Sequence, residues 1–121
     1  MSLSTQAKAL LKVLVDKLPS VQAGNPATYT SYRECHRDLA LPMQGRDWGH
    51  SLQLQGLNDL ATWQLNTGVP AITGLIINQL NLMPGEGFFR LYGVQDNPFE
   101  WWKTQIELCQ GYNWQQHLDA A

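Results

Sequence analysis

Apolar and polar positions alternate along this chain with two different periods, and the elements can be read from the changes between them. From Thr5 to Leu18 the apolar residues Ala7, Leu10, Leu11, Leu14 and Leu18 recur at helical spacing, with Lys8, Lys12 and Asp16 on the other side. This predicts a helix over 5–18 with one buried face, stopped by Pro19. The loop "SVQAGNPA" follows. In "TYTSYRECHRDLAL", Ser31 and Glu34 have the S-x-x-E spacing of a capping box, so a short helix should start there with Tyr32, Cys35 and Leu39 inward.

Pro42 ends that helix, and Asp47 is the expected cap of a longer one. Its inward face is read as Leu54, Leu57, Leu60, Ala61 and Leu65, with a bend at Gly56 and a stop at Gly68 and Pro70. The apolar run "AITGLIIN" reads as a covered strand, the Pro84-Gly85-Glu86-Gly87 stretch as a turn, and "GFFRLYGV" as a second strand. Asn97, Pro98 and Glu100 restart a helix carrying Phe99, Trp102, Ile106 and Cys109 on one stripe. Gly111 ends it, and "YNWQQHLDAA" adds a further turn or two.

This order predicts one α+β domain over 1–121, mainly helical: a helix at 5–18, a helix-turn-helix at 31–66, a two-stranded hairpin or wing at 70–94, and extra C-terminal helices at 98–119. Two helices followed by a hairpin is the layout of a winged helix-turn-helix, whose second helix enters the DNA major groove. In that layout Arg46, His50 and Gln53 belong to the recognition helix, Arg33 and Arg37 reach phosphate, and Arg90 stands near the wing.

Tyr32, Gly49, Pro70 and "PGEGF" at 84–88 carry a family likeness. On these the chain resembles small bacterial winged-helix-like domains, found alone or joined to HNH-type and other restriction-related nucleases. More distantly it is similar to the DNA-binding domain of the methylated-DNA alkyltransferases and the alkyltransferase-like proteins. The resemblance implies DNA binding, and with the sparse candidate chemistry the chain is read as a non-catalytic module of bacterial or phage origin, with duplex DNA as its expected partner. It covers about half of the chain.

Composition limits these expectations. The formal net charge is −2 and charged residues are 15% of the chain, so no large positive field attracts a phosphate backbone. Cys35 and Cys109 read as free thiols of a reducing, cytoplasmic setting. No stretch approaches the roughly 20 apolar residues of a membrane span, and the charged N-terminal helix does not read as a signal peptide.

Candidate chemistry is sparse. Cys35-His36-Arg37 reproduces part of the alkyltransferase nucleophile motif, but it precedes the recognition helix, and Glu34 stands where that motif has proline. Neighbouring helical residues also point about 100° apart, so Cys35 is expected in the core and His36 at the surface. Cys35, His36, His50, Cys109 and His117 show no metal-ligand spacing, and no cofactor motif is present.

The five tryptophans point to a second kind of partner. Trp101 and Trp102 are neighbours on one helix and cannot share one face, so one of them should anchor a partner or be covered by the terminal "YNWQQHL" segment. The alternative to a DNA-binding role is therefore a protein-interaction or regulatory module, a homodimer or a phage-encoded inhibitor.

Overall fold

The structure is a computed structural model and describes residues 3–118. It is mainly helical, with one small parallel sheet of two strands. Helix α1 (Thr5–Lys17) opens the chain, its Ser4 hydroxyl accepting the Ala7 N–H at 3.1 Å. Ala7, Leu10, Leu11 and Leu14 are fully buried, and Leu18 nearly so, just past its end. The face read from periodicity is the face that packs.

Strand β1 (Thr30–Ser31) leads directly into α2 (Tyr32–Leu39). Ser31 caps α2, its hydroxyl accepting the Glu34 N–H at 3.1 Å, and Ala40 closes the helix in the left-handed region. The connection from Ala40 to Asp47 is longer than the roughly three to four residues of a helix-turn-helix turn. Helix α3 (Trp48–Leu52) is capped by Asp47, whose Oδ1 accepts the His50 N–H at 2.8 Å.

A wide π-type turn, Gln53–Leu57, then joins α3 to α4 (Asn58–Thr67). Gly56 stands there at φ 128°, and a Cβ on it would meet the Gln6 carbonyl oxygen at 3.0 Å. The bend expected at Gly56 lets this chain pass close to α1. The same bend resets the helical phase, so the inward face is corrected: Leu60, Trp63 and Gln64 are buried, whereas Leu54 and Leu65 are 53% and 40% exposed. Gly68 ends α4 at φ 79°.

The hairpin expected over 70–94 is not formed. Residues Ile72–Leu75 make a 3-10 turn, and strand β2 (Ile76–Ile77) pairs in parallel with β1, Thr30 opposite Ile76 and Ser31 opposite Ile77. The antiparallel element in this stretch is a single bridge between Asn78 and Met83, closing a small turn. Residues Glu86–Leu91, read as the second strand, are helix α5.

Packing explains the difference. Phe88 and Phe89 both meet indoles of the next helix, with ring centroids 5.5 Å from Trp101 and 6.4 Å from Trp102 respectively. Consecutive residues of a strand point to opposite faces, whereas a helix turns them only about 100° apart and lets both reach one neighbour.

Helix α6 (Pro98–Gly111) starts with Asn97 in the left-handed region, and Asn97 makes no side-chain cap bond. Trp102, Ile106 and Cys109 are buried and Phe99 is 42% exposed. Helix α7 (Gln115–Leu118) is the last element; position 119 of the expected C-terminal helices lies outside the described residues. The core joins α1, α2, α3, β2, α4 and α6 and includes Leu10, Leu14, Leu75 and Trp102. Among the described residues no helix is long and apolar enough to cross a membrane.

Candidate nucleic-acid interface

The segment between α2 and α3 carries Arg46, and a local network fixes its path. Ser51 accepts the Gln44 N–H at 2.8 Å and donates to the Pro42 carbonyl at 3.4 Å. The Gln55 amide donates to the same carbonyl at 2.8 Å and to Ser51 Oγ at 3.1 Å. The Arg46 N–H donates to His50 Nδ1 at 3.1 Å. Gly45, at φ 80°, lies so close to the His50 ring that any side chain there would collide with it. Buried Gln55 and Ser51 thus work as a clamp, and the backbone of Arg46 is tied to α3.

Arg46 lines an open groove of about 870 Å³ together with Arg33, Trp48, His50, Gln53, Asn78, Gln79, Leu80 and Arg90. The three arginines come from separate segments: α2, the α2–α3 connection and α5. Arg33, Arg46 and Arg90 are all exposed. Asp47, which also lines the groove, caps α3. Five of the six residues expected to meet nucleic acid, Arg33, Arg46, His50, Gln53 and Arg90, therefore face one groove.

The sixth, Arg37, is elsewhere. It lines an adjoining depression with Arg33, His36, Trp48 and Gln79, and its Nε donates to Asp38 at 3.2 Å. The place of Arg90 beside a wing is also corrected, because it stands in the last turn of α5.

Trp48 separates the two hollows and was not singled out by spacing or motif. It is 40% exposed, and the Arg33 guanidinium carbon lies 6.0 Å from its ring centroid. His36 packs beneath it edge-on at 4.9 Å. The surface position expected for His36 is corrected on this point: the residue is 3% exposed and neither ring nitrogen has a hydrogen-bond partner among the described residues. Nothing in the sequence pattern marks Trp48, which stands out only once the fold leaves it partly uncovered beside Arg33.

Trp102 does not serve as an exposed anchor. It is 1% exposed and its Nε1 donates to the Gly74 carbonyl at 2.8 Å. Trp101 is half-buried and packs against Tyr92 at 5.1 Å and Phe88 at 5.5 Å, so α5 covers it. The terminal segment does not: Trp114 donates to the Cys109 carbonyl at 2.8 Å, and His117 packs edge-on against Trp63 at 4.9 Å.

Cys35 and Cys109 are free, buried thiols. Burial pushes Cys35 up to about 12, with the Thr30 hydroxyl opposing the shift, and pushes Cys109 up as well. Cys35 therefore holds its proton at neutral pH, opposite to what a nucleophile needs. Among the described residues no group of three His, Cys, Asp or Glu side chains converges as metal ligands. Compared with protein-family models, curated proteins and solved structures, the chain has no significant match.

Proposed function

We propose that the chain binds nucleic acid through the groove between α2, α3 and α5, without a wing. One observation carries this reading: Arg33, Arg46 and Arg90, from three separate segments, line one open groove. Phosphate oxygens meet guanidinium groups in such a groove through bidentate, charge-assisted hydrogen bonds. Gln53, Asn78 and Gln79 line the same groove and add neutral donors and acceptors for sugar or base edges.

The net charge of −2 sets the expected strength. Attraction is local to the groove, binding is modest, and it weakens as salt rises. A fluorescence-anisotropy titration with labelled oligonucleotides at two salt concentrations tests the reading. Binding should fall with salt, and Arg46→Ala should flatten the logarithmic salt slope by about 0.7 to 0.9, the share of one phosphate contact. Absence of binding at low salt, or an Arg46→Ala variant with unaltered slope, refutes it.

A further inference from the structure

The arginine groove also holds two apolar side chains that the core does not use. Trp48 shows 40% of its surface there, and Leu80 is 96% exposed, the most exposed large apolar residue among those described. Exposed apolar residues scattered singly are ordinary. These two share one groove with Arg33, Arg46 and Arg90.

Leu80 is also held in place. It sits in the turn closed by the Asn78–Met83 bridge, where the Asn78 N–H donates to the Met83 carbonyl and the Leu82 N–H to the Asn78 carbonyl, both at 2.8 Å. The Asn78 side chain accepts the Leu80 N–H at 2.9 Å, and the Asn81 side chain accepts the Met83 N–H at 3.0 Å. Leu82 stands at φ 56°, a conformation that costs a non-glycine residue energy. Such a turn presents a leucine to water on a braced support. Trp48 is likewise supported, by His36 beneath it at 4.9 Å.

A duplex hides its base faces inside the stack and offers a groove of this kind only phosphates and base edges. A single strand offers base faces as well, and these stack on an indole or rest against an aliphatic side chain while arginines follow the backbone. We infer that the groove takes single-stranded nucleic acid, with bases against Trp48 and Leu80 and phosphates on Arg33, Arg46 and Arg90. The inference rests on the nucleic-acid reading above and narrows its substrate class to unpaired strand.

The test compares a fluorescein-labelled mixed-pyrimidine DNA strand with a duplex of the same length, by anisotropy at low salt, for the unaltered chain, Trp48→Ala and Leu80→Ser. The single strand should bind at least tenfold more tightly than the duplex. Trp48→Ala should weaken single-strand binding by roughly fivefold to a hundredfold, the range for loss of one stacked base. Leu80→Ser, at a position with no part in the core, should weaken single-strand binding in the same direction and keeps the test valid if Trp48→Ala folds poorly. Equal affinity for both forms, or single-strand binding indifferent to both substitutions, overturns the inference and leaves the nucleic-acid reading standing. Binding to neither form overturns both.

Discussion

The Tyr32 hydroxyl accepts the backbone N–H of Gly85 at 2.9 Å, joining the first turn of α2 to the cap of α5 across 53 positions of sequence. A Cβ at position 85 would sit 2.8 Å from that hydroxyl oxygen, so Gly85 is what allows the approach. The bond aligns the helix carrying Arg33 with the helix carrying Arg90. It is a direct polar tie between the two walls of the groove.

Tyr32→Phe removes the acceptor and leaves a half-buried N–H without a partner. Unfolding free energy should drop by about 1 to 2 kcal/mol in urea titration. Because the walls lose their tie, oligonucleotide affinity should also fall severalfold. An unchanged stability would mean that water replaces the hydroxyl at no cost.

Gly56→Ala places a Cβ against the Gln6 carbonyl at a φ of 128°, so it meets a collision and a backbone conformation that alanine avoids. A destabilisation of about 2 to 4 kcal/mol is expected from these together. Thermal denaturation checks it. A stable, native-like variant would show that the π-type turn relaxes more easily than its contact with α1 implies.

Alkaline pH should weaken the fold through the buried thiols. Their protons are held more tightly when folded than in an unfolded chain, where cysteine titrates near about 8.5. The folded state then binds more protons than the unfolded one above that pH. Stability is therefore whole below about pH 8.5 and declines as pH rises toward about 12, where Cys35 itself titrates. Each thiol contributes a slope of about 1.4 kcal/mol per pH unit within that window. Urea midpoints measured at neutral pH and near pH 10, under reducing conditions, should show the decline, and Cys35→Ala should lessen it.

Alkylation supplies an independent check on the same residues. Iodoacetamide should label neither thiol of the folded protein on the timescale on which it labels the denatured chain, because both are fully buried and protonated. Fast modification of Cys35 in the native protein would restore it as a candidate nucleophile.

Where a local rule governs, the sequence was sufficient. Ser31 caps its helix as its spacing to Glu34 implies, Asp47 caps α3 as its residue type suggests, Gly68 takes the left-handed stop of α4, and the stripe from Ala7 to Leu18 is buried along α1 and just past its end. Sequence failed where tertiary contact decides. Strand-forming residues at 88–91 are helical, and there two adjacent phenylalanines pack on the indoles of α6, which the opposite-facing residues of a strand would not do. Ile76 and Ile77 do form a strand, but with residues 30–31 as partner, and nothing in a local pattern names a partner that far away. The groove was partly visible, since its arginines were identified, whereas Trp48 and Leu80 show their role only once the fold leaves them uncovered beside those arginines.

The parallel pairing of Thr30–Ser31 with Ile76–Ile77 also sets a schedule for synthesis. A nascent chain that has left the ribosome only as far as Gly68 can form its first helices, yet it has no strand for Thr30 to meet and no α5 to bring Arg90 into place. The closure is long-range, and such closures come late because chain entropy is lost before contacts compensate for it. During translation the early segments therefore wait with buried Val69, Ala71, Ile72 and Leu75 still missing from their interior.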